Sequence, residues 1–155
     1  MSTITAGIVM YRLRNDQVEV LLVHPGGPFF KKKDTGAWSI PKGIPEKEEE
    51  LQQAARREFE EETGLTVKEE LWPLGTVRQK SGKILHAWAM KGDLPEGYTL
   101  KSNFFEIEWP PRSGKRQQFP ETDKAEFMPV ETARVRIIPA QAPLLERLVE
   151  GIFNR

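Results

Sequence analysis

The sequence predicts a mixed α+β or α/β domain, and three observations point there. Short β-prone runs outnumber the helical stretches. Strands and helices follow one another without the regular alternation of a parallel βαβ array. At 155 residues the chain is long enough to bury one sizeable core without disulfide or metal staples, so residues 1–155 are expected to form a single domain.

Thr5 to Arg12 is apolar and β-prone, and Asn15-Asp16-Gln17 marks a turn. Val18 to Val23 is a near-continuous apolar run, the pattern of a strand covered on both faces. Together they read as a hairpin. Pro25 to Pro28 breaks the chain, and Phe29 to Gly36 is a basic loop carrying Lys31, Lys32 and Lys33. Trp38-Ser39-Ile40 reads as a short strand running into Pro41-Lys42-Gly43. A helix is expected from Glu48 or Glu49 to about Glu62, with Leu51, Ala54, Ala55 and Phe59 as its buried stripe. Gly64 is placed to end it in the left-handed conformation. Strands are expected near Thr66–Glu70, Leu74–Lys80, Ile84–Met90 and Phe104–Glu108, with a turn at Lys80-Ser81-Gly82-Lys83. Pro110 to Gly114 is a loop, and Lys124 to Val130 a short strand. Glu131 to Val135 is a short helix. Pro139 opens the last helix, which runs to Ile152 with Leu144, Leu145, Leu148 and Ile152 on its apolar stripe.

Composition excludes several function classes. Lys+Arg and Asp+Glu balance at 23 each, so bulk charge announces neither nucleic-acid nor membrane binding, and no DNA partner is expected. No cysteine is present, which removes disulfides, thiolate metal sites and cysteine nucleophiles. The two histidines, His24 and His86, are too few and too scattered for a zinc site. No apolar run approaches the roughly 18 residues that span a membrane. Met1 to Gly7 lacks the basic and apolar regions of a signal peptide, so a cytoplasmic protein is expected.

The most informative stretch is Gly43 to Leu65. Its second half carries Glu58, Glu61 and Glu62 just before Thr63-Gly64. Carboxylates at i, i+3 and i+4 share a helix face. Here they crowd the C-terminal turns, where each negative charge is disfavoured by roughly 0.3–1 kcal/mol. A helix built only for stability would place Lys or Arg there. A cation against this face resolves the conflict, and carboxylate oxygens suit Mg²⁺, or Mn²⁺ as the alternative. The bland alternative is a solvated acidic face.

The flanking pattern favours the cation. The segment resembles the Nudix box, G-x5-E-x7-R-E-U-x-E-E-x-G-U with U a bulky aliphatic residue. Gly43, Glu49, Arg57, Glu58, Glu61, Glu62, Gly64 and Leu65 fill its fixed positions in register, and Phe59 puts an aromatic at the first U. The resemblance implies an α/β/α sandwich around a mixed sheet. It also implies hydrolysis of a nucleoside diphosphate linked to another group, by attack of water on phosphorus with divalent metal. By the same resemblance Glu61 and Glu62 would ligate metal, and Glu58 would be either a ligand or the general base. Arg57 would orient the acids through a salt bridge with Glu61 or Glu49, and the Gly43 carbonyl would add a ligand. Glu121 of Pro120-Glu121 matches an acid that completes the site in the bacterial RNA pyrophosphohydrolase branch, with Glu126 as second choice.

Trp38-Ser39-Ile40-Pro41-Lys42-Gly43 is similar to the W-x-x-P-K-G lead-in of dinucleoside polyphosphate hydrolases. That likeness makes Trp38 and Lys42 candidate substrate contacts, with Lys42 beside the phosphates. Lys32, within the Lys31–Lys33 group, is a third. A base could stack on Phe29, Phe30 or Trp109. Other subfamily markers are missing. Gln79-Lys80-Ser81 stands where the ADP-ribose type carries proline. Tyr98 is too distant to be the tyrosine that follows the box in diadenosine tetraphosphate hydrolases. The expected partner is a small nucleotide, a dinucleoside polyphosphate such as diadenosine tetraphosphate first. RNA 5′ pyrophosphate removal or clean-up of nucleoside triphosphates is the alternative. A non-catalytic nucleotide-binding module on the same fold is the rival from another class.

Overall fold

A computed structural model describes residues 3–154; Met1 and Ser2 of the N-terminal reading, and Arg155, lie outside the described residues. Ile4–Arg14 (β1) and Gln17–Pro25 (β2) form the expected hairpin. Its two turn residues, Asn15 and Asp16, have φ of 53° and 64°, the left-handed values that match a tight turn to the strand twist. Lys42–Gly43 (β3) pairs with the start of β1. Leu51–Thr63 (α1) follows, then Trp72–Arg78 (β4), Ile84–Lys91 (β5), Phe104–Glu108 (β6), Arg116–Pro120 (β7) and Thr122–Pro129 (β8). Val130–Arg136 (α2), a 3-10 turn at Pro139–Gln141 and Ala142–Phe153 (α3) complete the chain.

The main sheet runs β4-β5-β1-β2-β8, with β3 on β1. The β1–β5 pair is parallel and its neighbours are antiparallel, so the sheet is mixed. Hairpin β6–β7 is a separate sheet. Alternation along the strands divides the core. Ala6, Ile8 and Met10 of β1 and Leu21 of β2 pack with Ala54, Ala55 and Phe59 of α1 on one face. Val9 and Tyr11, with Val20 and Leu22, pack against Leu144, Leu145 and Leu148 of α3 on the other. The result is the expected three layers, helix on sheet on helix. No helix among the described residues is long and apolar enough to cross a membrane.

Three expectations are corrected, and one strand is added. Thr66–Glu70 forms no strand, and local side chains take backbone donors at its start. Thr63 Oγ1 accepts from Leu65 N–H at 3.1 Å, and a Glu60 carboxylate oxygen accepts from Val67 N–H at 2.9 Å. Trp38–Ile40 makes only isolated bridges, Ser39 with Val23 and Trp38 with Ile137, and the paired segment falls one step later at β3. Helix α1 starts at Leu51, since Glu48 has a φ of 65° that no right-handed helix accommodates. Strand β7 went unforeseen: Arg-Gln-Gln-Phe-Pro carries no apolar alternation, and most of it is exposed.

Candidate active site

The site begins with two glycines. A Cβ on Gly7 would lie 2.6 Å from the Pro41 carbonyl oxygen and 2.8 Å from Lys42 Cβ, so only glycine lets β3 lie this close on β1. A Cβ on Gly43 would lie 1.9 Å from the Glu58 carboxyl carbon. The Glu58 carboxylate therefore occupies the space that the missing side chain leaves. This is how β3 and α1 meet.

Arg57 organises the acids. Its Nε and Nη2 donate to Glu49 at 2.9 and 3.0 Å. Its Nη1 donates to Glu58 at 2.9 Å and reaches the two Glu61 oxygens at 3.2 and 3.3 Å. Nη2 also donates to the Ile44 carbonyl at 3.2 Å, tying the loop before α1 to its last turns. The planar guanidinium fork suits this many acceptors; an ammonium would not. The Arg57 hydrogen bond holds Glu49 below the ordinary carboxylate range, and the acids, Glu49 foremost, push the Arg57 pKa up.

Glu58 and Glu62 are perturbed the other way. Burial pushes the Glu58 carboxyl up, against the opposing pull of Arg57. Glu62 is pushed up to about 7, first by burial and then by Glu58 and Glu121, with Lys42 opposing. One Glu62 oxygen accepts the Lys42 backbone N–H at 3.2 Å. An acid in a cleft, raised by burial and by like charges, makes this a candidate functional site.

That cleft has a volume of about 260 Å³ and is lined by Lys42, Glu62, Glu121, Thr122, Ser39 and Phe30 among others. Glu121 sits in the bend between β7 and β8. Its N–H donates to the Asn103 carbonyl at 2.8 Å and its carbonyl accepts from Gly26 N–H at 2.9 Å. Two elements far apart in sequence thus bring Glu62 and Glu121 to one cleft, with Glu58 near enough to repel Glu62. Among the described residues no three acids form a ready-made cation cage. Arg57 draws Glu58 and Glu61 to itself, and Glu62 and Glu121 face the cleft. The donor set still fits a hard divalent cation, being oxygen throughout, from carboxylates and a backbone carbonyl, and carrying excess negative charge.

Other expected residues fall elsewhere. Glu61 is exposed and outside the cleft lining, held by Arg57. Trp38, expected against substrate, is 1% exposed in the core beside His24, its indole N–H donating to Asp34 at 3.3 Å. It lies between the cleft-lining Ala37 and Ser39 in sequence and has no free face for a ligand. Lys32 is exposed and does not line the cleft. Glu126 lies between Ala125 and Phe127, which pack with α1, so alternation turns it to the opposite face. Of the aromatics, Phe30 lines the cleft, whereas Phe29 packs edge-on against Trp109 at 5.3 Å.

Sequence reasoning missed a buried clamp. His24 is 1% exposed, and its ring joins Asp123 Oδ1 at 2.7 Å to the Lys33 carbonyl at 2.6 Å. It pins the basic loop to the start of β8, one residue from the cleft-lining Thr122. A polar residue closing the apolar run of β2 was the available signal.

A Nudix domain family model matches residues 1–148. No curated protein matches the sequence. Among solved structures, the chain is similar to a C. elegans Ap4A hydrolase in a binary complex, with 22% identity, a TM-score of 0.71, and coverage of 97% of this chain and 99% of that one. It is also similar to the NUDIX domain of Shewanella oneidensis NrtR complexed with ADP ribose, at 17% identity and TM-score 0.67, covering 98% and 89%. A mutT/nudix family protein from Listeria innocua matches at 19% identity and TM-score 0.65, covering 98% and 94%. At these identities the likeness establishes the fold.

Proposed function

The chain belongs to the Nudix family, and on that premise we propose that it hydrolyses the pyrophosphate linkage of a nucleoside diphosphate joined to another group, with a dinucleoside polyphosphate as the first candidate. Its enzyme class is that of the pyrophosphohydrolases. One observation carries the reading: the carboxyls of Glu62 and Glu121 line one cleft with Lys42, backed by Glu58. Such a cleft holds both charges that phosphoryl chemistry needs, anionic donors for a cation and a fixed cation for a phosphate oxygen.

Glu62, Glu121, Glu58, Glu61 and the Gly43 carbonyl would hold the metal, Mg²⁺ first and Mn²⁺ next. When bound it supplies neutralisation of the phosphate oxygens and eases deprotonation of its water. The chain's own residues do the rest. Lys42 places a charge-assisted donor beside the phosphates. Phe30 offers the cleft an apolar face for a base. Glu58 serves as base or as ligand. Its raised pKa moves its proton affinity towards the working pH, which favours taking a proton from water. Arg57 holds Glu58 and Glu61 in place. The Ap4A hydrolase and the ADP-ribose complex among the structural relatives both fit a small nucleotide partner. A cytoplasmic setting belongs to the same reading.

A substrate panel with Mg²⁺, run beside Glu62→Gln, tests it. Cleavage of diadenosine polyphosphates by the wild type alone is the expected result. Cleavage of triphosphorylated RNA or of damaged triphosphates instead would keep the mechanism and replace the substrate. Tight nucleotide binding without turnover would identify a regulatory module.

A further inference from the structure

A second cavity of about 480 Å³ lies between the β6–β7 hairpin and the Gly26–Lys33 loop. Its volume is in the range of small-molecule sites, about 300–1,000 Å³. Trp109 and Phe119 give it aromatic surface, Gln117 an amide, Asp123 a carboxylate and Lys31 a cation. That is the chemical complement of a nucleotide: a stacking face, groups for a base edge and ribose hydroxyls, and a charge for phosphate.

The cavity adjoins the active cleft, and three chain segments show it. Pro25 lines the cleft and Gly27 and Pro28 the second cavity; Phe30 lines the cleft and Lys31 the cavity. Glu121 and Thr122 line the cleft, while their neighbours Pro120 and Asp123 line the cavity. Near neighbours in sequence thus line the two spaces along all three. These walls are fixed. A Cβ on Gly26 would lie 1.9 Å from the Pro120 carbonyl oxygen, and one on Gly27 would lie 2.7 Å from the Phe105 ring. Asp123 is anchored by His24, and the Gln117 amide donates to the Trp109 carbonyl at 2.9 Å.

We infer that this cavity binds the second nucleoside of a dinucleoside polyphosphate while the phosphate chain lies in the cleft. The inference rests on the proposed substrate reading, and its test separates the two. Diadenosine tetraphosphate and adenosine 5′-tetraphosphate, which lacks the second nucleoside, are titrated into Glu62→Gln protein with Mg²⁺, following tryptophan fluorescence. The dinucleotide binds at least about tenfold more tightly, the worth of one stacked base, and quenches emission. Trp109→Leu loses both the preference and the quench. Gln117→Ala, on the exposed hairpin, lowers the preference should Trp109→Leu fail to fold. Equal affinities, or a preference that survives both substitutions, would overturn the site. Should the wild type cleave no dinucleoside polyphosphate while the preference and quench remain, the substrate reading fails and the site stands. Cleavage without any preference overturns the site and keeps the reading.

Discussion

Glu62 concentrates the conflict that this site contains. Its carboxyl is pushed from an ordinary 4.5 to about 7 by burial and neighbouring acids. A raised folded-state value means that the folded protein holds the proton more tightly than the unfolded chain. The contribution to stability is therefore fully present below about pH 4.5, falls as pH rises, and is gone above about 7. At about 1.4 kcal/mol per pH unit, the ionised group costs on the order of 3 kcal/mol without metal. Glu62→Gln should abolish most turnover. In chelator it should melt higher than wild type at pH 8 and show little gain at pH 4.5. A loss of stability at pH 8 would contradict this account. Gly43→Ala is expected to act differently. The added methyl meets the flexible end of Glu58, not backbone, so stability should change by about 1 kcal/mol or less while turnover falls well beyond tenfold. Paired melting and kinetic measurements check the split.

Helix α1 has no basic residue in its last turn to offset its dipole. Arg57 substitutes for one by reaching Glu58, Glu61 and Glu49 together. Arg57→Lys keeps the charge and removes the fork. It should cost about 1 kcal/mol in stability, with turnover down about tenfold, because the acids lose their relative positions. Lysine restoring wild-type kcat would show that charge alone suffices. At this scale the periodic and capped elements were legible. The stripe Leu51, Ala54, Ala55, Phe59 and the Gly64 stop marked α1, and Gly64 ends it with φ 78°. Thr66–Glu70 and β7 were not: in one a Glu60 carboxylate oxygen takes the Val67 N–H, and the other lacks an apolar face.

The whole molecule divides its labour between the two faces of the sheet. Glu58, Glu61 and Glu62 lie on α1 at one face, while α2 and α3 close the opposite core. Phe59→Leu and Leu145→Val each remove packing worth on the order of 1 kcal/mol. At matched stability and a temperature far below melting, Phe59→Leu should lower turnover by moving α1 against β3. Leu145→Val should leave turnover within about twofold. Equal kinetic losses would mean that the layers are coupled through the sheet.

Glu58, Glu61 and Glu62 were singled out by spacing, because helix geometry converts i, i+3 and i+4 into a shared face, and Gly64 by its place at the helix end, whereas Gly43 and Arg57 were named through the likeness to the Nudix box. Lys42 was named through its likeness to a known lead-in, and chain continuity keeps it beside the box, where it lines the cleft. Tertiary structure decided the rest, which depends on residues far apart in sequence. It put Glu121 in the cleft with Glu62 and turned Glu126 away. It buried Trp38, joined His24 to Asp123, and set Trp109 and Phe119 beside Lys31. Local pattern specifies which face of its own element a residue takes. Which faces meet is set by strand register and the close packing of two cores, and no single segment contains that information.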